Sequence, residues 1–257
     1  MEQDLVTVAI LAKDKAHVLP LYLELIERQT YPASRIKLYI RTNNNNDRTE
    51  EILREWVERV GERYHEVHLD TSDVEEPVQD YAPHEWTYER LRVIGRLRQE
   101  SIEWAKSRNT HYFVADCDNF IAPDTLESLL STNLPVVGPL LTVAEAPLSL
   151  YSNYHNMVDE DGYFKSNDLY FYYLYQNVKG LVQVDVIHCT YVMRRDILEH
   201  VRYGDGTNRY EYVIMSDGLR KAGIPQYLDN RKKYGMLTFW DTEEQFSAVN
   251  LTADDFQ

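Results

Sequence analysis

Short unbroken apolar blocks recur through the first half of the chain, each followed by a polar loop and then by residues at helical spacing. Leu5-Val6-Thr7-Val8-Ala9-Ile10-Leu11 is almost wholly apolar and rich in β-branched side chains, the pattern of a strand covered on both faces. Leu19, Tyr22, Leu25 and Ile26 then recur on one helical face, with Pro20 suited to the first turn and Tyr31-Pro32 as the stop. Ile36 to Ile40 predicts a second strand, and Arg41-Thr42-Asn43-Asn44-Asn45-Asn46 a polar loop with no reason to enter a core. A helix is expected from Asp47, capped by that side chain with Glu50 as capping-box partner, and it presents Ile52, Leu53, Trp56, Val57 and Val60 as its apolar face. Tyr64 to Leu69 predicts a third strand, and the acidic, proline-containing stretch from Asp70 to Pro83 a surface loop.

From Trp86 the pattern predicts a long helix with Leu91, Ile94, Leu97, Ile102 and Ala105 inward, and Arg90, Arg92, Arg96, Arg98, Lys106 and Arg108 mostly on a solvated face. It leads into a buried strand from His111 that ends in Asp116-Cys117-Asp118-Asn119. Pro123-Asp124 opens a short helix, and Leu134 to Leu141 returns to strand. Tyr151 to Lys179 is aromatic, polar and irregular, with Asp161-Gly162 as a turn. Val182 to Val192 reads as one core strand carrying His188, Arg194 to Val201 as a helix, and Tyr210 to Ala222 as a helix closed by Gly223. Tyr227-Leu228-Asp229 completes the strands. Strand and helix alternating in this order indicate a doubly wound α/β fold, in which ligands bind beyond the carboxyl ends of the strands.

That rule draws attention to Asp116 and Asp118. In an extended backbone, residues two apart share a face, so both carboxylates can converge on one hard cation such as Mg²⁺ or Mn²⁺, which bridges protein oxygen to phosphate. A solvated turn after a strand explains the same two residues, and a lone Asp-x-Asp does not decide between them.

Composition narrows the class. The chain has 257 residues, 44% hydrophobic and 27% charged, an ordinary globular balance for one domain. A formal charge of −15 excludes a general electrostatic grip on nucleic acid, so a phosphate ligand needs a local solution such as a bound cation. No run reaches the roughly 18 apolar residues of a membrane span, and the acidic start Met1-Glu2-Gln3-Asp4 is unlike a secretory signal, so a soluble, cytoplasmic protein is expected. Cys117 and Cys189 have no metal-ligand spacing and read as buried thiols. Seven of the 20 tyrosines fall between Tyr151 and Tyr175, flat faces with polar tips that suit stacking on sugars or peptides.

A set of stretches in order gives a sharper indication: Ile10-Leu11-Ala12, Trp86-Thr87-Tyr88-Glu89-Arg90, Ala115-Asp116-Cys117-Asp118-Asn119, Leu134-Pro135-Val136-Val137-Gly138-Pro139, Tyr151-Ser152-Asn153, His188-Cys189-Thr190 and Lys221-Ala222-Gly223. Together they resemble the N-terminal glycosyltransferase domain of the procollagen galactosyltransferases and the related cerebral endothelial cell adhesion molecule. The resemblance implies a single GT-A domain over 1–257, a Rossmann-like, mixed but mostly parallel sheet flanked by helices, with 1–119 as nucleotide-binding half and 120–257 as acceptor-binding half. It implies a metal-dependent, inverting transfer of galactose or glucose from UDP-galactose or UDP-glucose to a hydroxyl, with hydroxylysine of a collagen-like protein as candidate acceptor. By the same resemblance Asp116 and Asp118 hold Mn²⁺ or Mg²⁺ against the diphosphate, with His188 as third ligand. Leu11, Ala12, Lys13, Thr42, Asn43, Asn44, Arg90 and Cys117 join them around the nucleotide. Glu211 is the candidate base, matching one member of the family's acidic pair, while the other position is Tyr210. An acidic residue at a helix N-terminus, and a structural histidine on a core strand, are the plainer explanations of Glu211 and His188. The family's histidine before Tyr234-Gly235 is replaced by Lys233. Other readings of the same residues are a transferase for a different glycan or protein acceptor, and a non-catalytic binding module. The animal relatives work in the endoplasmic reticulum lumen, but neither a leader nor a terminal retention signal is recognisable here.

Overall fold

A computed structural model describes residues 4–76, 85, 87–143 and 150–256. Trp86, part of the stretch from Asp70 to Pro83, and Met1 to Gln3 lie outside the described residues.

The first half alternates as expected: β1 (Val6–Ala12), α1 (Leu19–Glu27), β2 (Ile36–Thr42), α2 (Thr49–Val60), β3 (Glu66–Asp70), α3 (Tyr88–Ser107) and β4 (His111–Ala115). The second half is finer grained than its sequence pattern. It contains β5 (Asn119–Ile121), α4 (Thr125–Ser131), β6 (Val136–Pro139), β7 (Leu141–Val143), β8 (Tyr154–His155), α5 (Asp168–Leu174), β9 (Leu181–Val184), β10 (Val186–Ile187) and β11 (Thr190–Met193). It closes with α6 (Glu211–Lys221), β12 (Gln226–Asp229), β13 (Gly235–Leu237) and α7 (Glu243–Ser247).

Among the described residues, eight strands form the main sheet in the order β3-β2-β1-β4-β11-β6-β12-β9. All neighbours pair in parallel except at β11 and β9, so the sheet is mixed and mostly parallel. Strand pleating splits its side chains between two cores. Val8, Ile10, Phe113 and Ala115 pack with α1, α2 and α4 on one face, while Ala9, Tyr112 and Val114 pack with α3 and α6 on the other. Each fully buried Val, Ile or Phe contributes roughly 1.5–3 kcal/mol. Both cores draw residues from either side of position 119. Among the described residues, no helix is long and apolar enough to cross a membrane.

Several local expectations need correction. The stretch Arg41 to Asn44 is buried: Arg41 and Thr42 complete β2, and Asn43 and Asn44 are 4% and 8% exposed. The polar atoms are satisfied by local partners, because Asn44 accepts from Val74 N–H at 2.9 Å and donates its own N–H to Asp73 at 2.6 Å. Asp47 does not cap α2 in the expected register. Its carboxylate accepts from Thr49 N–H and from Ala16 N–H, both at 2.9 Å, while Glu50 pairs with Arg54. The segment Val182 to Val192 is three strands, and the last two are separated by a turn in which Thr190 N–H donates to His188 C=O at 2.7 Å across Cys189, whose φ is +63°. This is the positive-φ form of the γ-turn, rare and strained for a non-glycine residue. His188 therefore sits in a corner rather than on a continuous strand, and Cys189 is only half-buried. The aromatic stretch after Tyr151 also holds a true helix, α5, whose N-cap Asn167 accepts from Tyr170 N–H at 3.3 Å.

Candidate active site

The carboxyl ends of β1, β2 and β4 meet at one edge of the sheet, and their loops are laced together by polar side chains. Asp14 N–H donates to Asn45 at 3.1 Å, Asn46 N–H to Asp14 at 2.6 Å, and Lys15 N–H to Thr49 at 2.7 Å. Lys13 is spent locally on Asp14. Leu11 contributes its backbone, whose C=O accepts from the Cys117 thiol at 3.4 Å and so ties β1 to the turn after β4.

That turn carries the two aspartates. β4 stops at Ala115, and Asn119 N–H donates back to Asp116 C=O at 2.8 Å, so Asp116 and Asp118 lie in a β-turn and not on an extended strand. The turn is pinned on three sides. Asp116 N–H donates to Cys189 C=O at 2.9 Å, Asn119 donates to the Thr190 hydroxyl at 2.9 Å, and Asp118 C=O accepts from Thr238 N–H at 3.0 Å. The strained corner at Cys189 thus positions the Asp116 backbone.

Each carboxylate has a cation. Lys15 Nζ lies 2.8 Å from Asp118 Oδ2. Arg98 Nη2 donates to both oxygens of Asp116, at 2.8 and 3.1 Å, and its Nε donates to Glu211 Oε1 at 3.2 Å. Arg98 is the main departure from the helical pattern: its side chain is 11% exposed and points inward, against the expected solvated face. Gly95, one turn earlier, makes room for this approach. A Cβ there would stand 2.7 Å from Tyr203 C=O and 3.6 Å from the Glu211 Cβ.

Burial sets the electrostatics. It pushes the Glu211 carboxyl above the usual carboxylate range, with Arg98 pulling the other way. Burial does the same to Asp116, again opposed by Arg98, while Asp118 adds like-charge repulsion. Two hard carboxylate oxygen donors in electrostatic reach of each other suit a divalent cation that takes its remaining ligands from substrate phosphates. Among the described residues, no three His, Cys, Asp or Glu side chains stand together as a metal-binding group, so His188 is not brought to Asp116 and Asp118 as a third ligand. Its Nδ1 lies 2.8 Å from Cys189 Sγ, and its Nε2 is buried without a hydrogen-bond partner among the described residues. Its ring instead joins an aromatic row: Phe239 to Tyr151 at 5.3 Å, Tyr151 to His188 at 5.9 Å and His188 to Tyr212 at 4.8 Å.

The expected residues therefore fall into groups. Asp116, Cys117, Asp118 and Leu11 meet at the turn, and Glu211 joins Asp116 through Arg98. Ala12 and Thr42 are buried at paired strand ends, with Asn43 and Asn44 beside them. Arg90, in the first turn of α3, donates to Glu85 C=O at 2.9 Å and stands about 12 Å along the helix from Arg98 at 1.5 Å per residue. Lys15 and Arg98 were missed. An inward arginine one helical turn before the buried Ser101 and Ile102 was the available signal.

Comparison with known proteins bears on the family and the fold. The chain is 31% identical over 247 residues to human procollagen galactosyltransferase 2, covering 92% of this chain and 39% of that protein. It is 30% identical over 245 residues to the mouse inactive glycosyltransferase 25 family member 3, covering 90% and 40%. The chain thus spans about two-fifths of the length of these relatives. Among solved structures, Staphylococcus aureus TarS 1–349 in complex with UDP-GlcNAc superposes with a TM-score of 0.58 at 12% identity, covering 98% of this chain and 63% of that one. The mannosyltransferase PcManGT from Pyrobaculum calidifontis, in complex with GDP-Man and Mn²⁺, gives 0.53 at 15% identity, covering 93% and 57%. These neighbours fix the architecture as the GT-A glycosyltransferase fold. The model of glycosyltransferase family 25, N-terminal domain, matches residues 3–249, and the chain belongs to that family.

Proposed function

We propose that the chain is a metal-dependent glycosyltransferase that moves galactose or glucose from a UDP-sugar to a hydroxyl group, with inversion at the anomeric carbon. The observation that carries this reading is the pair of carboxylates on the turn after β4, joined through Arg98 to a buried Glu211 at the start of α6. When bound, the divalent cation supplies Lewis-acid neutralisation of the leaving diphosphate. The other roles belong to the chain. Asp116 and Asp118 hold the cation through their carboxylates, and Lys15 adds positive charge beside them. Leu11, Ala12, Lys13 and the stretch Thr42 to Asn44 line the nucleotide side. Glu211 takes the proton from the acceptor hydroxyl as its oxygen bonds to the anomeric carbon and the bond to the diphosphate oxygen breaks. The raised proton affinity of the buried Glu211 suits that role. The aromatic row from Phe239 to Tyr212 ends beside Glu211 and supports binding of the acceptor there. The relatives named procollagen galactosyltransferases make a collagen-like protein the first acceptor to try.

The deciding experiment is hydrolysis of UDP-glucose, UDP-galactose and UDP-N-acetylglucosamine, measured with Mn²⁺ and with chelator. Turnover of one donor that disappears in chelator and in Asp118→Ala supports the reading. Metal-independent turnover overturns the metal's part in it. Absence of both turnover and UDP binding leaves the non-catalytic module, a role consistent with relatives named inactive.

A further inference from the structure

We propose that Arg98 is a positioning residue that couples cation binding at Asp116 to the charge on Glu211, so that the donor side and the base are loaded together. The inference rests on the reading of Asp116 as a metal carboxylate and of Glu211 as the base.

The guanidinium is a rigid plane with five N–H donors, and its geometry fixes what it can hold at once. Here Nη2 spans both oxygens of Asp116 and Nε reaches Glu211, so one positive charge is divided between two carboxylates. Among the described residues, Nη1 is buried without a hydrogen-bond partner. Arg98 and Glu211 are nearly closed off, at 11% and 10% exposed, and Asp116 is half-buried, so water screens the Glu211 side of the division poorly. The buried hydroxyls of Tyr191 and Tyr203 lie in electrostatic reach of the guanidinium, and Ser101, a turn further along α3, is tied to the Tyr112 hydroxyl at 2.9 Å.

An ionised carboxylate has about four lone-pair sites, so Asp116 has capacity for a cation beyond the two bonds from Arg98. A second positive charge on Asp116 repels the guanidinium and weakens its hold there. The share of charge that Arg98 gives to Glu211 then rises, which favours ionised Glu211. Linkage makes the effect reciprocal. Ionised Glu211 draws the guanidinium away from Asp116 and strengthens cation binding, whereas a neutral residue at 211 leaves Arg98 wholly to Asp116 and weakens it. Lysine in place of Arg98 keeps a charge but has no fork to hold both carboxylates.

The test is Mn²⁺ affinity measured by calorimetry in the presence of UDP, for the unaltered chain, Glu211→Gln, Arg98→Lys and the double variant, with thermal unfolding to confirm folding. Glu211→Gln is expected to weaken Mn²⁺ binding by about 5- to 150-fold, the usual range of coupling between sites. In the Arg98→Lys background the same change is expected to cost less than about twofold, as for independent positions. An equal loss in both backgrounds assigns the effect to direct attraction between Glu211 and the cation, and overturns the proposal. Glu211→Gln alone keeps the arginine, so an unchanged Mn²⁺ affinity there overturns it even where the Arg98 variant does not fold. If the unaltered chain binds no Mn²⁺, the functional reading falls and this inference falls with it. Binding without coupling removes only the inference.

Discussion

Asp116 and Glu211, far apart in the chain, are held by the same guanidinium, with Arg98 bonded to the first at 2.8 and 3.1 Å and to the second at 3.2 Å. This places the candidate base beside the candidate metal carboxylate before any ligand enters. Glu211→Gln is nearly isosteric but cannot accept a proton from a hydroxyl. At saturating Mn²⁺ it is expected to lower kcat of transfer by about 10²- to 10⁴-fold, with little change in KM for the acceptor. Steady-state kinetics with varied acceptor checks this, and an unchanged kcat removes Glu211 as the base.

The pH profile follows from the direction of the Glu211 shift. Burial raises its proton affinity above that of an ordinary glutamate, so the basic form is lost at a higher pH than for a free side chain. In the metal-free chain, carboxylate NMR is expected to show Glu211 taking up its proton above the usual carboxylate range as pH falls. A titration at or below the ordinary glutamate value contradicts a buried base.

Gly95 offers a test of geometry without touching a charged group. A Cβ added there would stand 2.7 Å from the Tyr203 carbonyl oxygen, a clash with backbone that cannot be relieved cheaply. Gly95→Ala is expected to cost about 1–3 kcal/mol of stability as an overpacked site. The forced shift of α3 also displaces Arg98 from Glu211, so kcat is expected to fall more than nucleotide affinity. Denaturant unfolding and UDP binding separate the two effects, and a variant with unchanged stability refutes the close approach.

How far the sequence was legible follows from what each signal measures. Apolar periodicity reports burial of whole faces, and it located β1, β2 and α1 because those faces are uniform. It misplaced Arg98, whose burial is compensated by two carboxylates supplied from other elements, Asp116 and Glu211. It also read Val182 to Val192 as one strand, because alternation of side chains does not register the backbone reversal at Cys189. The polarity of Asn43 and Asn44 predicts a solvated loop for the same reason: their burial depends on Asp73 and Val74 arriving from another loop. The turn Asp116 to Asn119 was recognisable as a chemical motif, whereas its partner cations depended on tertiary structure.

The histidines give a last prediction, on stability rather than catalysis. Burial lowers the pKa of His155 from its ordinary 6.5 to about 4, and nearby Arg220 adds to the effect. His188 and His111 shift in the same direction, also chiefly through burial. In the unfolded chain these imidazoles take up protons near their ordinary values, so between about pH 6.5 and 4 the unfolded state binds more protons than the folded one. Stability must then rise with pH across that window and be lost as pH falls through it. For His155 alone the full shift corresponds to about 3 kcal/mol, fully present above pH 6.5 and gone below about pH 4. His155→Phe removes this proton uptake while keeping an aromatic ring against Phe164 and Tyr212. Urea unfolding at a series of pH values is expected to show a steeper loss of stability toward acid in the unaltered chain than in His155→Phe. Parallel slopes would mean that His155 carries its proton equally well folded and unfolded, which an enclosed ring with an unpartnered Nδ1 does not do.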